Sequence, residues 1–375
     1  MANSTNRGVA ASAKTSQQDG GFRKVVKGLL IVLGGLILLV GVILAVFAYD
    51  NLHYDEGPLR AARQAGFVEK DATVPSGTRI HYAEGPNNGP ALLLIHGQAM
   101  AWQDYAKVLP ALSTRYHVFA VDCHGHGQSS HDPSRYTCQA MGADFATFID
   151  TVIGEPTVLS GHSSGGIVAT WIAANHHAMV RGLIIEDSPF FSVLPEEMQN
   201  TFVWKNGFDI VHRYLNQTEE PSLLAYNYRN SYLLSMFGGL NQIIADAAVN
   251  FVRDHLGEPV KVWFVPHRIL HGDLYMNQYD PLFGETFYTG SWFDDTDQAD
   301  ILRRVQCPAI YIKVITRFGK DGVLWAANDD ADAARVESLL PNGRTILISN
   351  TGHDVKYDDP AAFSKICLDF LSEIR

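Results

Sequence analysis

Residues 28–48 (GLLIVLGGLILLVGVILAVFA) form an unbroken apolar run without a charge. At ~1.5 Å per helical residue, about 21 residues span a ~30 Å hydrocarbon layer. No face of this run is polar, which argues against an amphipathic helix of a soluble core. Shorter apolar runs recur farther on, and residues 91–95 (ALLLI), 116–121 (YHVFAV), 156–159, 180–185, 309–315 and 345–348 each read as a buried strand. Ahead of them, residues 67–84 read as two short strands turned at Pro75, Ser76 and Gly77. Helical stretches at 102–114, 138–153, 165–175 and 330–340 alternate with the strands. That alternation predicts parallel strands joined by crossover helices, and hence an α/β fold with a doubly wound, mostly parallel sheet. One interval of about 110 residues breaks the pattern, far beyond ordinary loop length. It is dense in aromatic residues, among them Phe190, Phe191, Trp204, Tyr226, Tyr228, Tyr232, Phe237 and Trp292, and reads as an inserted, mainly helical cap at about 188–300.

Charge flanks the long apolar run unevenly. Arg7, Lys14, Arg23, Lys24 and Lys27 precede it, whereas Asp50, Asp55 and Glu56 follow before Arg60. This asymmetry predicts a single-pass anchor in the cell membrane, with residues 1–27 as a flexible cytoplasmic tail and the remainder outside the cytoplasm. A cleaved signal peptide is the alternative, with Val46 and Ala48 as small residues before Tyr49. The long hydrophilic leader, and an apolar run exceeding the usual ~7–15-residue signal core, favour retention. Residues 49–66 read as a connecting helix or linker, and 67–375 as one domain carrying the cap.

Composition removes several function classes. A formal net charge of −11 without a basic run argues against nucleic-acid binding, which needs clustered Lys and Arg. Cys123, Cys138, Cys307 and Cys367 are scattered, and neither His124 with His126 nor His176 with His177 has partners at metal-ligand spacing. The chain also has no nucleotide or flavin fingerprint, so neither metal nor cofactor is expected.

Gly161-His162-Ser163-Ser164-Gly165 fits Gly-x-Ser-x-Gly and lies between a short strand and an apolar helix, IVATWIAA. A tight strand-to-helix turn lifts its middle residue above the sheet's carboxyl edge, and bulkier flanking residues would clash. The helix start also presents backbone amides to a developing anion. Ser163 is therefore the candidate nucleophile.

From residue 67 onward the chain resembles the α/β-hydrolase superfamily. His96-Gly97-Gln98 is similar to its oxyanion loop. The stretch Asp122-Cys123-His124-Gly125-His126-Gly127-Gln128-Ser129 resembles its Asp-x-Arg-Gly-x-Gly-x-Ser turn, with His124 in place of arginine. Gly352-His353, ahead of Asp359-Pro360, resembles the catalytic histidine and the helix after it. The resemblance implies His353 as general base for Ser163, with the N–H groups of Gln98 and Ser164 as oxyanion donors. For the acid, the family position after the strand at 309–315 favours Asp321. Asp187, Asp329 and Asp330 stay open, the last two standing where an aspartate also caps a helix.

The expected function is hydrolysis of a small-molecule carboxylic ester, apolar or lipid-like, through an acyl-serine. Serine at 163 argues against haloalkane dehalogenase and epoxide hydrolase, whose nucleophile is aspartate. It does not separate esterase from lipase, peptidase, lactonase or carbon–carbon hydrolase. A non-catalytic binding protein on the same fold is the alternative from another class.

Overall fold

The computed structural model describes residues 9–374, with side chains from Phe22 onward. It divides into two units, one ending at His53 and one beginning at Tyr54. The first holds a single helix, Val9–His53. Its part Phe22–His53 is, among the described residues, the one helix long and apolar enough to cross a membrane. Residues 9–27, expected as part of a flexible tail, are helical instead. Ala, Lys and Gln are good helix formers, and lengthening a helix already nucleated costs only propagation. Residues 1–8 of that tail lie outside the described residues.

In the second unit, strands β1 (Val68–Thr73), β2 (Arg79–Glu84), β3 (Ala91–Ile95), β4 (His117–Val121), β5 (Thr157–His162), β6 (Val180–Glu186), β7 (Ala309–Val314) and β8 (Gly343–Ile348) form one sheet. Their order is β1-β2-β4-β3-β5-β6-β7-β8. β1, β2 and β4 pair antiparallel, and every pair from β4–β3 to β7–β8 is parallel. Side chains alternate across the pleat, so each strand feeds two cores. Leu93, Ile95, Leu159 and Ile185 pack on one side with Met141, Phe145, Ile167 and Trp171. Leu92, Leu94, Val158 and Ile184 pack on the other with Trp102, Leu109, Phe363 and Phe370.

The expected helix at 102–114 is two short pieces, Trp102–Tyr105 and Leu109–Leu112. Pro110 has no N–H to continue a helix from upstream, but it suits the first turn of a new one. Between β6 and β7 the chain runs through helices from Asp209–Leu215 to Gln298–Arg304 before β7 rejoins β6 in parallel, Leu183 opposite Ala309. The aromatics of this insertion largely pack on one another. Phe287 lies 4.6 Å from Trp292 and 5.0 Å from Phe208, ring centroid to centroid, and Trp292 is fully buried. They supply a core for a segment that has no sheet of its own.

Candidate active site

β5 delivers its last residue, His162, to the carboxyl edge of the sheet, and the helix Ser164–Asn175 starts two residues later. So abrupt a turn forces Ser163 to φ +53°, ψ −126°, a strained conformation for a residue with a Cβ. Flanking side chains would not fit. A Cβ on Gly161 would stand 2.2 Å from the Gly165 carbonyl oxygen, and one on Gly165 2.3 Å from that of Ile95. The loop after β3 also approaches closely, since a Cβ on Gly97 would lie 2.9 Å from Ser163 Cβ. The His96-Gly97-Gln98 backbone thus passes directly beside the serine.

Two buried groups hold that loop. His96 Nδ1 donates to the Gly97 carbonyl at 2.7 Å, while its Nε2 accepts from the Cys123 N–H at 2.9 Å. This pattern requires the neutral ring, and burial pulls its pKa down to about 4. Asp122 accepts from the N–H groups of Trp102 at 2.8 Å and Gln128 at 2.9 Å, joining the segment after β3 to the turn after β4. Within that turn His124 Nε2 meets Asp144 at 2.8 Å, and Arg135 bonds the other oxygen of the same carboxylate at 2.7 Å. Tyr279 of the cap donates its hydroxyl to Gln98 Oε1 at 2.8 Å.

Across the sheet edge, His353 Nδ1 lies 2.8 Å from Asp187 Oδ2. Asp187 follows β6, is fully buried, and has φ +38°. Its other oxygen accepts from the Val314 N–H at 3.2 Å, and its own N–H donates to Ile312 O at 2.8 Å. With Nδ1 donating to Asp187, the lone pair of His353 resides on Nε2, the arrangement a general base needs. Burial depresses the His353 pKa, but the hydrogen bond and charge of Asp187 outweigh it and leave the net shift upward. The imidazole side chain is 37% exposed and so remains open to a substrate.

Residues 92–366 match the model described as the alpha/beta hydrolase family. The chain belongs to that family. Among curated relatives, epoxide hydrolase 4 of Mus musculus is 34% identical over 125 residues, 32% of this chain and 34% of that protein. The chain thus spans about a third of that relative's length. A serine hydrolase-like protein of Danio rerio is 24% identical over 304 residues, covering 80% of this chain and 86% of that one. A solved structure of a membrane phospholipase A, a bacterial virulence factor, shares the fold with a TM-score of 0.57 at 21% identity, covering 94% of this hydrolase-family chain and 99% of that one.

Asp321 is not brought to His353. It stands with its side chain 46% exposed, accepting from the Tyr232 hydroxyl at 2.7 Å with the Lys205 ammonium 3.9 Å away. After β7 the chain doubles back at the Gly319–Gly322 turn, with Phe318 bridged to Leu324 and Leu324 to Thr201, and this leaves Asp321 at the turn against Tyr232 and Lys205 of the cap. Asp329 caps the helix Asp330–Leu339 through the Asp332 N–H, and Asp330 accepts from the Thr316 hydroxyl. The carboxylate that meets His353 is that of Asp187. Asp321→Asn is accordingly expected to leave kcat within about twofold and stability within about 0.5 kcal/mol, as for a surface substitution. Steady-state kinetics and a melting curve on the purified variant check this.

Proposed function

We propose that this chain is a serine hydrolase that cleaves a carboxylic ester with an apolar or lipid-like group. Ser163 is the nucleophile, His353 the general base and Asp187 the carboxylate that orients it. The observation that carries this reading is the 2.8 Å contact of Asp187 with His353 on the same sheet edge as the strained Ser163 turn. Nε2 of His353 takes the hydroxyl proton as Oγ attacks the carbonyl carbon, and the N–H groups of Gln98 and Ser164 receive the oxyanion. The imidazolium then returns its proton to the departing alkoxide, leaving an acyl-serine. Water, deprotonated by the same nitrogen, releases the acid. The position that would hold aspartate in an epoxide-opening relative holds serine here, which cannot form the same alkyl ester. An activity-based fluorophosphonate is expected to label the parent protein once, at Ser163, and p-nitrophenyl esters of graded acyl length are expected to be cleaved. Epoxide opening without ester cleavage would sink the reading.

The apolar helix supports a membrane-tethered enzyme with its catalytic domain outside the cytoplasm. Full-length protein is expected in the membrane fraction, and removal of residues 1–48 is expected to release active protein from it. Protease added to intact cells should digest the domain; protection of a domain that is cleaved after lysis would reverse the orientation.

A further inference from the structure

Next to His353 and the carboxyl ends of β5 and β6 lies a second polar centre. Lys356 is fully buried, with its ammonium 2.6 Å from Asp354, 2.8 Å from Asp104 and 3.7 Å from Glu186. Its backbone N–H donates to Glu186 at 2.9 Å. His162 Nε2 lies 3.2 Å from Asp354 and 3.3 Å from the His353 carbonyl oxygen, and its ring is 4.6 Å from that of His353. His271 reaches Asp104 at 3.2 Å.

The places of these residues in the chain give the cluster its meaning. Glu186 immediately precedes Asp187, His162 immediately precedes Ser163, and Asp354 immediately follows His353. Asp104 stands in the short helix after the oxyanion loop. Glu186 and Asp354, each next to a residue of the candidate triad, carry their carboxylates to one ammonium, Asp104 joins them from the helix after the oxyanion loop, and His162 reaches the cluster through Asp354. Asp104, His162 and Asp354 hold their ligand atoms within 4.8 Å of one another, a spacing suited to a metal ion. Lys356 already supplies the cation there.

We propose that Lys356 is a positioning residue, which locks the segments bearing His353, Asp187, Ser163 and the oxyanion loop in one register and sets the charge behind His353. The proposal rests on the triad reading above. His353 is faced by Asp187 beyond β6, by His162 at the end of β5, and by Asp354 and Lys356 on its own segment. Burial keeps His162 neutral, with its pKa lowered to about 3, so the charges in balance are Asp187, Asp354 and Lys356. Asp354 pulls the His353 proton affinity up, while Lys356 pulls it down. Burial also raises Glu186 to about 7, and its carboxylate stands farther from the ammonium than those of Asp104 and Asp354.

The test uses the full chain in detergent with labelled histidine, and His353→Gln to assign the resonances of His353. Lys356→Met is expected to raise the His353 titration midpoint by about one pH unit and Asp354→Asn to lower it by a similar amount. In Lys356→Met the downfield Nδ1 proton of His353, held by Asp187 in the parent, is expected to broaden or vanish. Each variant should lose kcat on a p-nitrophenyl ester by ~10²-fold, with KM within about threefold, as for a displaced catalytic group. Midpoints that stay put or move the same way, or kcat per folded molecule within threefold of the parent, would overturn the proposal. Should Lys356→Met fail to fold, Asp354→Asn decides by its midpoint and kcat. A parent that cleaves no ester defeats the functional reading alone, because the two midpoints and the Nδ1 proton still decide the role of Lys356.

Discussion

Ser163→Ala is expected to lower ester turnover by roughly 10⁴–10⁶-fold, the loss typical of removing a triad nucleophile. Stability should change little. Serine and alanine bear the same penalty for a Cβ at φ +53°, so the substitution leaves the strain of the turn as it was and deletes only a hydroxyl. The backbone bonds that fix the turn, Ser163 N–H to Glu186 O and Gly166 N–H to Ser163 O, both at 3.0 Å, do not involve the side chain. Fluorophosphonate labelling should disappear together with turnover. Activity within tenfold of the parent in a folded, purified variant would remove Ser163 from the chemistry, and the ester reading would fall with it. The strain also bears on why the turn is affordable at all. Gly161 and Gly165 allow backbone to pass within contact distance of β3 and of the following helix, so packing on both sides holds the serine in a conformation that it would not adopt alone.

The inner strands were legible because burial on both faces writes them as continuous apolar runs, such as ALLLI at β3, whose five residues are all buried. Ser163 was legible because its turn demands glycines at fixed offsets. His353 was singled out by its order after the last strand. The carboxylate beside His353 was harder to place. An aspartate carries no local signature, and several stand near strand ends. What separates Asp187 from Asp321 is whether the chain beyond each strand keeps its carboxylate at the sheet edge beside His353, and that is a property of the assembled sheet. Asp187 is the next residue after β6, with no loop to carry it away, and that adjacency was the available signal. The Lys356 cluster had less to show in the sequence. Lysine and acidic residues read as solvated surface, and only the folding of four distant segments onto one point reveals their burial. His124 illustrates the same limit, since the guanidinium missing from its position comes from Arg135, eleven residues along, and shares Asp144 with it. The aromatic density that marks the cap in the sequence goes largely into the cap's own core, in stacked pairs such as Phe208 with Phe287.

Asp187→Asn is expected to reduce kcat by about 10⁴-fold with KM little changed, and the physical reason is the direction of one hydrogen bond. In the parent, a carboxylate can only accept, so His353 Nδ1 must carry the proton and Nε2 keeps the lone pair that the proposed mechanism uses on the Ser163 hydroxyl. Asparagine fills the same space, and its Oδ1 can still accept from Val314 N–H. Its amide group then faces His353 as a donor, which favours the tautomer with the proton on Nε2, where it blocks base catalysis. A second effect follows from charge. Asp187 raises the His353 pKa above the ordinary value of 6.5, and turnover requires the neutral ring. The acid limb of kcat/KM for the parent should therefore have its midpoint above 6.5, and in Asp187→Asn the residual activity should persist to lower pH, because burial is then opposed by the more weakly acting Asp354 alone. A purely structural aspartate would lower the melting temperature without moving that midpoint. If Asp187→Asn keeps the parent pH profile and turnover while Asp321→Asn loses both, the acid comes from the loop after β7, and the 2.8 Å contact with His353 is one of packing alone.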